Sequence, residues 1–106
     1  MARKQGFVYI MSNAGRTTFY VGVTNNLMRR ALEHKRGVGS EFTTKYRCKD
    51  LVYFEQIDGI VEAIAREKQL KNWHRPWKLN LIQTLNPEMK DLAASWYDPR
   101  DLEGAP

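Results

Sequence analysis

Two short apolar runs open the chain. Residues 7–11 and 19–23 are rich in aromatic and β-branched side chains, and Asn13, Ala14, Gly15 and Arg16 between them are turn formers. That pattern predicts a β-hairpin. In the second run, alternation sets Tyr20, Gly22 and Thr24 on one face and Phe19, Val21 and Val23 on the other, and the core is expected to take the second set. The period then changes. Leu27, Met28, Ala31 and Leu32 recur at helical spacing behind the capping residues Thr24 and Asn25, until Gly37 and Gly39 end the pattern, so a helix is predicted over 25–36. A basic loop with Lys45, Arg47 and Lys49 leads to a third strand over 51–57.

Ile60, Ala63, Ile64 and Leu70 mark a second helix, capped by Asp58 and reaching about residue 74. Pro76 suits the first turn of a third helix over 77–85, where Leu79, Ile82 and Leu85 form the stripe. Pro87 is expected to start a short helical piece ending at 94. Residues 98–106 hold little apolar material and are expected to fray. Three strands interleaved with helices predict an α/β fold of the α+β type, with a small, largely antiparallel sheet flanked by helices. The expected organisation is one domain over 1–97 followed by a flexible tail over 98–106.

Composition agrees with one packed domain: the chain has 106 residues, of which 42% are hydrophobic and 27% charged, close to globular averages. The apolar run after Arg3 and Lys4 breaks at Ser12 and Asn13, too soon for a secretory signal, and no run approaches the roughly 20 apolar residues of a membrane span. The expected location is the cytoplasm, with no membrane partner. Cys48 is the only cysteine, which excludes an internal disulfide and a cysteine-built zinc cluster. The net charge of +5 favours a polyanionic partner, nucleic acid first, because cations placed on phosphates release condensed counterions.

The candidate chemistry begins on the second predicted helix. Counting from Ile60 at ~100° per residue, Ala63, Ile64 and Leu70 fall at about 300°, 40° and 280°, and Glu67 at about 340°, inside the apolar stripe. Glu62 and Arg66 fall on the opposite side. A carboxylate turned towards a core needs a cation or strong donors. Two readings follow: an ion pair with Lys71 one turn on, or ligation of a hard divalent cation such as magnesium, which takes one or two carboxylates and keeps its waters. On the first helix Arg30 and His34 lie four residues apart and share a face, a phosphate clamp beside a group that exchanges protons near neutral pH. Both also suit a solvated basic face. Tyr9 and Tyr20 sit in strands where tyrosine is common for packing alone, but Tyr20 shares its face with Gly22, where a ligand or backbone can approach closely.

Together these residues resemble the GIY-YIG endonuclease superfamily, closest to its small stand-alone bacterial type. The first signature reads Phe7-Val8-Tyr9 and the second Tyr20-Val21-Gly22, with Arg30 ten residues beyond Tyr20 and His34 four further on. Glu67 stands in a stretch resembling the superfamily's glutamate helix, and Phe42-Thr43-Thr44-Lys45-Tyr46 and Lys71-Asn72-Trp73 are stretches familiar from the small members. Phe7 and Val8 replace the namesake glycine and isoleucine, while Tyr9 is retained.

The resemblance implies a metal-dependent endonuclease that hydrolyses phosphodiester bonds in DNA, RNA not being excluded, structure-directed or of low sequence specificity, in repair or recombination. It assigns Tyr9, Tyr20, Arg30, His34 and Glu67 to catalysis, Glu67 to one Mg²⁺ or Mn²⁺, and Gly22 to support. Arg29, Lys35, Lys45, Arg47, Lys68 and Lys71 are expected on the nucleic-acid backbone, where contacts hold little sequence information. Trp73, Trp77 and Trp96 are expected in the core, Trp77 above all. The competing reading is a non-catalytic DNA- or RNA-binding module that keeps the fold; a separate protein partner for targeting is compatible with either.

Overall fold

The alternating runs pair as a sheet. In the computed structural model, which describes residues 5–103, β1 (Gln5–Ser12) lies between β2 (Phe19–Thr24) and β3 (Asp50–Asp58) in the order β2-β1-β3. Both pairings are antiparallel, with a register irregularity between Ile10 and Met11 against β3. The helices are α1 (Leu27–Lys35), α2 (Glu41–Lys45), α3 (Ile60–Lys71), α4 (Arg75–Leu85) and α5 (Pro99–Leu102). This is the expected α+β fold with a three-stranded sheet, here wholly antiparallel.

Because successive residues of β1 point to opposite faces, its central position buries both. Val8 and Ile10 join Val21, Val52, Ala63, Leu70 and Ile82 in one core, with Phe19 and Val23 packed on its margin as alternation predicts. Gly6 permits the close approach of α3 to the sheet: a Cβ there would run into Cβ of Ala63. On the other face Tyr9 and Met11 pack with Leu27, Cys48, Leu51 and Ala93, and Tyr20, Leu92, Trp96 and Tyr97 close the edges.

Several local expectations are corrected. The predicted basic loop contains α2, whose N-cap Ser40 accepts a hydrogen bond from the Thr43 amide. At α3 the cap is Gly59 at φ 106, not Asp58, with no side-chain cap. Ile64 is 40% exposed because it stands about 100° off the line from Ala63 to Leu70. Trp77 is 56% exposed, being about 140° round α4 from the buried Ile82, and meets Trp73 edge to face.

No helix forms over 87–94. Side chains take the backbone groups instead: Asn86 accepts from the Lys90 amide and Asp91 from the amides of Leu51 and Ala93, while Met89 adopts φ 53. Part of the segment expected to fray is helical. Asp98 caps α5 by accepting from the Arg100 amide, and Arg36 Nε donates to the Asp101 carbonyl at 2.5 Å. Residues 1–4 of the expected domain and 104–106 of the expected tail lie outside the described residues.

Candidate active site

Strand register puts the two tyrosines on one face. Tyr9 stands opposite Gly22 and Met11 opposite Tyr20, and the phenol rings lie with centroids 6.4 Å apart. Gly22 is what lets Tyr9 lie across β2, since a Cβ there would overlap Cζ and Oη of the ring. Above them comes α1, whose Asn26 cap accepts from the Arg29 amide. Arg30 and His34, one turn apart on this helix, both reach Tyr9.

Tyr9 Oη and His34 Nε2 are 2.8 Å apart, and Arg30 Nε donates to the same phenol oxygen at 3.3 Å. Arg30 also donates to Glu33 through Nη1 at 3.0 Å. On the far side of the imidazole, Nδ1 is 2.9 Å from Thr43 Oγ1, which lies 2.8 Å from Ser40 Oγ. One proton arrangement satisfies the chain: Tyr9 O–H donates to Nε2, Nδ1–H to Thr43, and Thr43 O–H to Ser40. Gly39 makes room for the imidazole, because a Cβ there would overlap the ring. Among the described residues no buried side-chain nitrogen or oxygen lacks a partner.

Burial dominates the electrostatics. Tyr9 and His34 are each 1% exposed. Desolvation pushes the Tyr9 phenol up to about 12, outweighing the opposing pull of Arg30, and it holds the His34 imidazole down at about 4, with the neighbouring guanidinium acting in the same direction. At neutral pH the pair is therefore phenol and neutral imidazole. Tyr20 differs, being half-buried with its hydroxyl unpartnered among the described residues.

Glu67 stands on α3 with 14% of its side chain exposed, and its Oε2 pairs with Lys71 Nζ at 3.1 Å. The same Nζ lies 5.9 Å from the Tyr20 ring centroid, which joins Glu67 to the phenol cluster through one ammonium. Thus Tyr9, Tyr20, Arg30 and His34 meet directly and Glu67 meets them through Lys71. The ion-pair reading of Glu67 is realised.

The donor set also fits magnesium or manganese. Glu67 is a hard carboxylate at the margin of the site, the donor type that magnesium takes singly or in pairs; no group of three or more His, Cys, Asp or Glu that could hold a metal occurs among the described residues. Of the expected phosphate contacts, Arg29, Lys45, Arg47, Lys68 and Lys71 are exposed. Lys35 is placed differently from the others: its ammonium is paired with Asp91 and donates to the Lys49 carbonyl. With 11% of its side chain exposed, it ties elements together rather than facing solvent.

Sequence reasoning missed the roles of Thr43 and Gly39 beside His34. The signal available for Thr43 was its place three residues after a Ser that caps a helix, in a stretch read as loop.

An α+β domain whose hairpin and first helix gather two phenols, a guanidinium and an imidazole is the class that the fold and site define. The chain belongs to the GIY-YIG family: the model for the GIY-YIG catalytic domain matches residues 5–80. That family is one of endonucleases, and its membership implies a nucleic-acid substrate. Among similar proteins, a UPF0213 protein of Syntrophus aciditrophicus is 36% identical over 85 residues, spanning 79% of this chain and 95% of its own length. A UPF0213 protein of Pediococcus pentosaceus is 32% identical, covering 74% and 82%, and one of Natronomonas pharaonis is 36% identical, covering 72% and 88%. No solved structure matches significantly. No helix among the described residues is long and apolar enough to cross a membrane.

Proposed function

We propose that this chain is a divalent-cation-dependent endonuclease that hydrolyses phosphodiester bonds in DNA with low sequence specificity, as in repair or recombination. The observation that supports this best is the buried Tyr9 phenol held between the Arg30 guanidinium and the His34 imidazole, an expensive arrangement for a binding module that needs only surface cations.

The side chains divide the work. Arg30 places a permanent cation at the rim, with one Nη on Glu33, and its other donors can hold a phosphate oxygen as negative charge develops. Tyr9 and His34 fix that guanidinium and each other. With its phenol at about 12, Tyr9 is ionised in roughly one molecule in 10⁵ at pH 7, and the His34 imidazole at about 4 is a poor acceptor for its proton. Tyr20 is the better placed of the two to orient and activate a water, its hydroxyl being unpartnered among the described residues and Lys71 lying over its ring. Glu67 would hold the Mg²⁺ or Mn²⁺. The bound ion would supply Lewis-acid polarisation of the phosphoryl group and charge for the leaving oxygen. The exposed cations Arg29, Lys45, Arg47, Lys68 and Lys71 meet phosphates and so bring affinity without sequence preference.

Purified protein should nick plasmid DNA with magnesium or manganese, while Glu67→Ala and Arg30→Ala abolish nicking and Tyr20→Phe reduces it more than Tyr9→Phe. Absence of cleavage across metals and DNA forms, or undiminished cleavage by Glu67→Ala, would overturn the reading.

A further inference from the structure

A row of aromatic rings leaves the candidate site along α2. It starts at Tyr20, passes to Phe42 with centroids 5.8 Å apart and planes 31° apart, and continues to Tyr46 at 4.7 Å and 48°. Exposure rises along it. Tyr20 is half-buried, whereas Phe42 is 40% and Tyr46 44% exposed. Phe42 and Tyr46 lie four residues apart, one turn of α2 and its C-cap, so both project from the same side. An adjoining side of this helix, about 60–100° round from the two rings, places Thr43 against His34, which fixes the row to the site.

Cations flank the rings. Lys71 Nζ is 5.9 Å from the Tyr20 centroid and Lys45 Nζ 5.3 Å from that of Tyr46, and exposed Arg47 follows directly. Two large apolar side chains left open beside ammonium groups make poor core and a good stacking surface. Aromatic faces alternating with phosphate-binding cations are how proteins grip unpaired nucleotides, because every base has a π-face and every linkage a charge. Bases inside a blunt duplex are stacked on one another and offer no face to such a row.

The geometry points to Tyr20, Phe42 and Tyr46 as a stacking track for unpaired DNA bases next to the bond that is cut, so that DNA with unpaired bases there, single-stranded, branched or locally opened, is preferred over blunt duplex. This deepens the proposed nuclease function and rests on it for the position of the cut. Half-buried Trp73, just beyond α3, and exposed Trp77 on α4 meet edge to face, and among the described residues no ring contact or hydrogen bond joins them to the phenol network.

The test separates stacking from cutting by omitting divalent ions. The full chain in EDTA is titrated into a short oligonucleotide with a fluorescent adenine analogue at successive positions, free and annealed as a blunt duplex, at one salt concentration. The single strand should bind about ten-fold or more tightly than the duplex, with quenching at adjacent positions. Phe42→Ala combined with Tyr46→Ala should weaken the single strand about ten-fold or more and the duplex less than about two-fold. Phe42→Leu, which keeps the apolar volume, should lose quenching at one position, and Phe42→Trp should retain it. Equal affinity for both forms, no quenching, no DNA binding, or equal losses on both forms would each overturn the proposal. A protein that stacks bases here yet cuts nothing with metal refutes the nuclease reading alone; one that cuts duplex without stacking refutes the track alone.

Discussion

His34 shows how a single residue couples the site to the stability of the fold. Its imidazole titrates near 6.5 when unfolded and at about 4 in the folded protein. As pH falls through that window the unfolded chain takes up the proton first, so the stabilisation is complete above about pH 6.5 and is lost on the way to 4. Between pH 7 and pH 5 the contribution should drop by about 2 kcal/mol, measurable as a fall in urea midpoint that is smaller in His34→Gln; equal falls in both would count against a buried neutral imidazole. Thr43 is the second residue to test. Thr43→Val keeps the shape and removes the partner of Nδ1, which should cost about 1–3 kcal/mol. Nitrogen NMR shifts of His34 should then show mixed tautomers, with Thr43→Ser restoring one; a single unchanged tautomer in the Val variant would reject the role. The sequence pointed to Tyr9, Tyr20, Arg30, His34 and Glu67 through types and spacings that resemble the family's, and the fold brings the first four together. Thr43 and Gly39 stayed hidden, since their roles consist only of contact with an imidazole on another element.

At the scale of elements, periodicity disclosed all three strands and the helices α1, α3 and α4, because each buries a stripe against the sheet. It failed where local hydrogen bonding outweighs the stripe. α2 has five residues and buries only Thr43, too little for a period, and the turns over 87–94 follow the side-chain bonds of Asn86 and Asp91 rather than Pro87. The spacing between β1 and α3 is set by one atom. Gly6→Ala would force Cβ against Ala63 and displace the helix that holds Glu67, with an overpacking cost of about 1–3 kcal/mol. Thermal melting should fall, and more magnesium should be needed for half-maximal cleavage. An unchanged melting temperature would mean that β1 and α3 separate freely.

Across the whole molecule, the family match stops at residue 80, yet the face beneath Tyr9 is completed by Leu92, Ala93, Trp96 and Tyr97. One carboxylate anchors that segment. Asp91 Oδ1 accepts from the amides of Leu51 and Ala93 while Oδ2 pairs with Lys35, and Tyr97 Oη donates to the Met28 carbonyl at 2.7 Å. Asp91→Ala should therefore cost about 1–3 kcal/mol, well above an exposed pair, and loosen hydrogen exchange at the Leu51 amide; a loss under about 0.5 kcal/mol would make the anchor incidental. The same anchor orders events during synthesis. A nascent chain that has cleared the ribosome only through residue 80 displays Tyr9, Tyr20, Arg30, His34 and Glu67 but lacks Ala93 and the Leu92, Trp96 and Tyr97 edge of the core beneath Tyr9, so the candidate site should reach its full packing only after Tyr97 has emerged.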